Sequence, residues 1–228
     1  MEKSSFWYLQ NPDVMGIFCP DKLHKNTELH QEKVFKKGEY IYVRDDESDT
    51  VFMLVKGRVK IGVYGEADKE IIKAILGKGE VFGELALVSN DKRNEFAQAM
   101  EETEVCMIRK DNLHLLFRDR SSIQSFFLKL FGSRILALEN RFERLVFKDS
   151  RSRVIDFLIE LADESGERVG YEIVVRKFLT HQEIANITAT SRQTVTTVLN
   201  DLRSKNLIKF DRRRLLIRDR EKLALEIS

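Results

Sequence analysis

The sequence predicts an α+β protein in three parts: an N-terminal β-roll of the jelly-roll kind, a long dimerisation helix, and a C-terminal winged helix-turn-helix. Three observations predict it. Short apolar runs punctuated by glycines fill the first half, one unbroken apolar seam at helical spacing follows, and two capped helical segments joined by a three-residue turn stand near the end. With 228 residues, 43% hydrophobic and 33% charged, the chain has apolar material for one large core or two modest ones.

The first part takes residues 1–120. From about Val34 to Ile108 the runs "YIYV", "VFMLV", "RVKIGVY", "EIIKAIL" and "VCMI" alternate with Gly38, Gly57, Gly65, Gly79 and Gly83. Runs of that length between turn residues build a compact antiparallel sandwich or barrel. Cys19 and Cys106 lack zinc-site spacing, and Cys106, inside "VCMI", is expected in the core. The opening "MEKSSFWYLQNPD" does not read as a signal peptide, and no apolar run is long enough to cross a bilayer, so a cytoplasmic protein with no membrane partner is expected.

The second part takes residues 121–149. Phe127, Phe131, Ile135, Leu138, Phe142 and Leu145 recur at steps of four, four, three, four and three, which keeps one apolar seam in line along a helix with no proline. A seam that long with charged flanks meets a second copy of itself, giving a homodimer; the alternative is that it packs only on its own sheet.

The third part takes residues 150–228. Asp149 or Ser150 caps a helix ending near Gly166, and a hairpin follows around Gly170. Thr180 and Glu183 have the Thr-x-x-Glu spacing of a capping box, Ile184 and Ile187 face inward, "TAT" turns the chain, and Ser191 caps the next helix. That helix carries Val195, Val198, Leu199 and Leu202 on one stripe, and "LIKFDRRRLLIRD" adds two short strands around a basic tip, a wing. The net charge is only +2, yet residues 168–220 hold twelve Lys and Arg against five Asp and Glu, about seven net positive charges on this part alone.

Basic charge on a helix-turn-helix suits double-stranded DNA as partner. Helix N-terminal amides favour phosphate, so Thr180, His181 and Gln182 are suited to gripping backbone. From the start of the second helix at Ser191, Arg192 suits a guanine edge and Gln193 an adenine; Thr197 shares the Gln193 face and Thr196 borders it. Arg212, Arg213 and Arg214 of the wing suit phosphates, although arginines there are equally read as solvated surface.

With "GEVFGELAL" (79–87) and "LTHQEIANITATSRQTV" (179–195) in this order, the chain resembles the Crp/Fnr family of bacterial transcription regulators over about residues 15–220. The resemblance implies a cyclic-nucleotide-binding-like effector domain and a homodimer on a two-fold symmetric DNA site. It also implies an effect on RNA polymerase and a small effector held between β-roll and long helix. By resemblance the effector residues are Gly83, Glu84, Leu85, Arg93, Asn94 and Leu138.

The effector motif also departs from the family. Members that bind cyclic AMP follow Phe-Gly-Glu-Leu with Arg-Ser-Ala or Arg-Thr-Ala, whereas here Arg93 is followed by Asn94 and Glu95. A carboxylate beside a phosphate repels it, and Glu95 is expected to pair with Arg93 instead. Leu138 and Glu139 stand where the cyclic AMP receptor has its adenine-binding Thr-Ser pair, so an effector other than cyclic AMP is expected. The family's iron–sulfur cluster needs four cysteines and this chain has two. Haem stays open, with His24, His30 and His114 as candidate ligands outside any motif. Gln193 and Thr197 stand where the cyclic AMP receptor has Glu and Arg, so the half-site is expected to differ from TGTGA. No nucleophile–base–acid arrangement points to an enzyme. The rival reading is an effector-independent DNA-binding protein whose β-roll is a dimer scaffold.

Overall fold

A computed structural model describes residues 30–66, 69–88, 92–119 and 121–227. The apolar runs become eight strands: β1 (His30–Phe35), β2 (Tyr40–Tyr42), β3 (Thr50–Lys56), β4 (Val59–Tyr64), β5 (Glu70–Leu76), β6 (Val81–Phe82), β7 (Phe96–Ala99) and β8 (Thr103–Arg109). They pair antiparallel in two four-stranded sheets, ordered β1-β8-β3-β6 and β2-β7-β4-β5. "VFMLV" is apolar without alternation because β3 is buried on both faces. Phe52 and Leu54 point between the sheets, toward Phe35, Tyr42, Leu76 and Val105. Val51 and Met53 point the other way, toward Cys106 and Ile108.

That second face is covered by α1 (Lys110–Asp119) and the start of α2 (Ser121–Phe147), through Leu113, Ile123, Phe126, Phe127 and Leu130. Cys106 is core, as its apolar neighbours implied; Cys19 and His24 lie outside the described residues. The seam along α2 is therefore divided. Phe127 is 3% exposed and Phe131 packs beside it, both serving their own β-roll, while Ile135, Leu138, Phe142 and Leu145 remain exposed. The expectation of one continuous dimer seam is corrected at Phe127, which the chain's own sheet takes up. The chain forms two compact units, divided within α2 between Ser133 and Arg134.

In the second unit Asp149 caps α3 (Ser150–Ser165), its carboxylate accepting from the Ser152 amide at 2.7 Å. A hairpin of β9 (Gly166–Val169) and β10 (Glu172–Arg176) follows, then α4 (His181–Thr188), α5 (Arg192–Ser204), β11 (Ile208–Phe210), β12 (Arg214–Ile217) and α6 (Arg220–Ala224). The four strands form one antiparallel sheet, β11-β12-β10-β9. Val154, Ile155 and Leu158 of α3 are buried with Ile184 of α4 and with Val195, Val198, Leu199 and Leu202 of α5. The stripe on α5 thus faces inward, and its remaining surface faces solvent. No helix among the described residues is long and apolar enough to cross a membrane.

Candidate functional site

Both helix starts in the helix-turn-helix are fixed by their own side chains. The Thr180 hydroxyl accepts from the Glu183 amide at 3.2 Å, and the Glu183 carboxylate accepts from the Thr180 amide at 2.8 Å, a complete capping box. Ser191 Oγ accepts from the Thr194 amide at 3.0 Å. Between the helices Ala189 takes a left-handed conformation, φ 51°, which turns the chain without glycine.

The capped start of α5 leaves Arg192, Gln193 and Thr197 exposed, and their side chains make no hydrogen bond or ion pair among the described residues. In a major groove, Arg bonds guanine and Gln bonds adenine bidentately, and the exposed Arg192 and Gln193 are of the types that do so. At the wing, the Asp211 carboxylate accepts from the amides of Arg213 at 2.7 Å and Arg214 at 2.9 Å. These backbone bonds hold the Asp211 carboxyl below its usual range and close the turn on itself. Arg212 and Arg213 project from that turn, exposed, while Arg214 leans back on Asp211 at 3.5 Å. Phe210 anchors the wing, packing on Phe178 at 6.3 Å and on the His181 ring at 5.8 Å between centroids.

Other residues expected at this surface bond to neighbours within the head, His181 and Thr196 half-buried, Thr180 and Gln182 still exposed. His181 Nδ1 meets Thr196 Oγ1 at 2.9 Å, and Thr196 Oγ1 donates to the Arg192 carbonyl at 2.9 Å. Gln182 Nε2 donates to Asn186 Oδ1 at 2.8 Å, and Thr180 Oγ1 donates to Glu183 at 2.9 Å. These side chains build the platform. Burial, and then the charge of Arg192, pushes the His181 imidazole below its ordinary range.

Residues with the family's effector motif meet inside the β-roll, with an arrangement the sequence does not suggest. Arg93 is 5% exposed; Nη1 donates to the Gly83 carbonyl at 3.1 Å and Nη2 to the Thr50 carbonyl at 2.5 Å. Its guanidinium also lies over the rings of Tyr42 at 4.4 Å and Phe52 at 5.6 Å. Glu95 does not pair with Arg93, correcting that expectation. It accepts from Lys73 Nζ at 2.9 Å and from the Tyr42 hydroxyl at 3.3 Å, which engage its two carboxylate oxygens, while Arg93 turns to the Gly83 and Thr50 carbonyls. Burial, reinforced by the charge of Glu95, pushes the Tyr42 hydroxyl well above its usual range.

Gly83 has φ 72°, and a Cβ there would meet Phe52 Cδ2 at 2.9 Å and Arg93 Nη1 at 3.0 Å. Glu84 is buried and Leu85 half-buried in the short 3-10 turn that follows, while Asn94 is exposed. Leu138, expected among them by resemblance, is 69% exposed on the half of α2 belonging to the second unit. His30 is buried in β1, and His114 stands exposed on α1 with its ring against Phe117 at 5.8 Å.

Sequence reasoning misses Tyr42, which packs on Arg93, and the arginines of the second unit that bond backbone, Arg141 and Arg153. A cation aimed at a carbonyl has no sequence partner to give it away. It also misses Arg151, whose Nη2 reaches Asp201 and Glu226 at 2.7 Å each, tying α3 to α5.

Comparison with known proteins agrees with both halves of this geometry. Residues 32–120 match the model of the cyclic nucleotide-binding domain, and residues 152–225 match the Crp-like helix-turn-helix domain. The chain is 31% identical over 189 residues to the global nitrogen regulator of Synechococcus elongatus, covering 82% of this chain and 85% of the relative. It is 29% identical over 212 residues to the CRP-like cAMP-activated global transcriptional regulator of Mycobacterium tuberculosis, covering 92% and 95%. Among solved structures, a CooA mutant from Carboxydothermus hydrogenoformans superposes with a TM-score of 0.75 at 30% identity, covering 85% of this chain and 86% of that one. With a cyclic nucleotide-binding domain, a Crp-like helix-turn-helix and relatives of this length and likeness, the chain belongs to the Crp/Fnr family of DNA-binding transcription regulators, which are not enzymes.

Proposed function

We propose that the protein works as a homodimer that reads a two-fold symmetric DNA site, inserting the start of α5 into successive major grooves. Arg192, Gln193 and Thr197 contact base edges, while Arg212, Arg213 and Arg214, with the N-terminal amides of α4, lie along phosphates. The open first turn of α5, held by two caps and the His181–Thr196 contact, carries this reading. The exposed stripe of Ile135, Leu138, Phe142 and Leu145 supports a helix-to-helix dimer, since side chains of that size at that spacing are unstable in water on one lone helix. In this scheme residues 1–120 are the effector domain, 121–149 the dimer helix and 150–228 the DNA-binding domain. Selection from a random DNA pool tests it: a palindrome with half-sites other than TGTGA is expected, and recovery of no palindrome overturns it.

Any small effector is something other than cyclic AMP. The Mycobacterium tuberculosis relative is named as cAMP-activated, but in this chain Arg93 is buried with Nη1 and Nη2 on carbonyls and its guanidinium over two rings. Among the described residues its Nε alone is left without a partner, so a phosphate would have to displace these contacts. The same observation favours a second reading, in which the β-roll acts as a scaffold and DNA binding needs no effector. Protein denatured, dialysed and refolded without added small molecules separates the two. Full operator affinity supports the scaffold, and affinity restored only by a cell extract of small molecules supports the switch.

A further inference from the structure

The last turn of α4 lies directly before the helix-turn-helix turn, and its carbonyls have no partner within the helix. Two arginines from elsewhere in the second unit reach them. Arg141, on α2, donates from Nη2 to the Ile187 carbonyl at 3.0 Å. Arg153, on α3, donates from Nε to the Thr188 carbonyl at 3.0 Å and from Nη2 to the Ala189 carbonyl at 3.2 Å. The same Arg153 donates from Nη1 to the Lys148 carbonyl, just beyond the end of α2, at 2.8 Å, and from Nη2 to Ser150 Oγ at 3.3 Å. One guanidinium thus touches α4, the start of α3 and the link between α2 and α3. Cations at a helix C-terminus are favoured by the helix dipole, and the planar fork of Arg bonds several acceptors where a lysine would bond fewer. Two ion pairs brace the same corner: Arg144 with Glu160, and Lys148 Nζ with Asp156 at 2.5 Å.

We infer that Arg141 and Arg153 are positioning residues for DNA reading: they fix α4, and through it the exposed turn of α5, in a set register to the C-terminal half of α2. That half of the helix carries the exposed stripe proposed as the dimer seam. If two copies meet there, the distance and rotation between their α5 helices are fixed, so the pair of arginines sets the half-site spacing. This rests on the proposed homodimer, and the test separates the two. Burial lowers the Arg141 guanidinium from its ordinary value, in keeping with a side chain committed to a protein carbonyl.

The test measures binding to the selected palindrome and to versions with one or two base pairs added at its centre, for the full-length protein and for R141M, R141K and R153M. Each added pair moves the half-sites by about 3.4 Å and rotates them by about 35°, so a rigid pair of reading helices loses about tenfold or more per insertion. R141M and R153M are expected to bind the best spacing more weakly than wild type, to suffer a smaller loss per insertion, and to bind an isolated half-site as wild type does. R141K is expected to recover part of the spacing selectivity. Sedimentation and thermal melting of each variant accompany the binding. Wild-type protein that is monomeric, or indifferent to spacing, overturns the dimer reading beneath the inference. Dimeric, folded R141M and R153M with an unchanged loss per insertion overturn the inference itself, as does a half-site affinity that falls with them, which would assign the arginines to folding of the head.

Discussion

The imidazole Nδ1 of His181 lies 2.9 Å from Oγ1 of Thr196, joining the first turn of one helix to the exposed face of the next. The Thr196 hydroxyl spends its proton on the Arg192 carbonyl, so it accepts from Nδ1–H, which fixes the tautomer of the ring. T196V keeps the shape and removes both bonds. It is expected to lower stability by about 1 kcal/mol and to weaken operator binding, because Arg192 stands at the end of this chain. Denaturant unfolding and operator titration check it.

The same contact sets a pH dependence. His181 takes up its proton at lower pH in the folded protein than in the unfolded chain, so the unfolded state binds more protons between the two values. Its contribution is complete above the ordinary histidine range and is lost as pH falls through the lowered folded value. Stability of DNA-free wild type minus that of H181N is therefore expected to shrink from pH 7.5 to pH 5. A difference that is flat or grows toward acid refutes the neutral, desolvated histidine.

Arg93 is part of the β-roll's core, so removing it is expected to act on stability first. R93M removes the Arg93 donor from the Thr50 carbonyl, at about 1–3 kcal/mol, while the Gly83 carbonyl keeps the Ala86 amide. G83A is expected to destabilise as well, since its Cβ collides with Phe52 and Arg93 at a positive φ. Thermal melting measures both. Calorimetry with wild type is expected to find no cyclic AMP binding at micromolar affinity; heat that saturates in that range contradicts the closed site.

Leu138 gives a direct test of assembly, because at 69% exposed it contributes little to the fold of one protomer. L138D is expected to remain folded and become monomeric, since a carboxylate buried without a partner between two helices costs several kcal/mol. Sedimentation equilibrium reads the outcome, and a dimeric L138D moves the interface elsewhere.

The parts of the molecule that are legible in the sequence are those where local pattern and chemistry coincide. The long helix from Ser121 to Phe147, the Thr180–Glu183 box, the Ser191 cap and the wing around Arg212 each follow from residues a few positions apart. Sites made by distant segments are not legible. Arg93 meets Thr50 across 43 positions of chain, and Arg141 meets Ile187 across 46. In both pairs the acceptor is a main-chain carbonyl, which every residue type carries, so no side-chain pattern marks it. Glu95 shows the reverse error: two charges near in sequence are expected to pair, but the fold brings Lys73 and the Tyr42 hydroxyl, distant in sequence, to Glu95 instead.

The DNA interface separates residues that specify from residues that hold. Arg192 is exposed at the capped start of α5 and its side chain makes no hydrogen bond or ion pair among the described residues, so its guanidinium is open to a base edge. R192A is expected to cost about 1–3 kcal/mol on the selected operator and to relax preference at one base pair per half-site, leaving the other positions as selective as before. Arg213 sits on the wing, where the Asp211 turn fixes its backbone and leaves its side chain in solvent. R213A is expected to weaken every sequence by a similar factor and to reduce the slope of log affinity against log salt by about one for each phosphate no longer neutralised. Competition binding on operators mutated one position at a time, at two salt concentrations, resolves the two effects. If R213A alters base preference while R192A changes only the salt slope, the roles of helix and wing are reversed and the groove-facing turn of α5 has been misassigned.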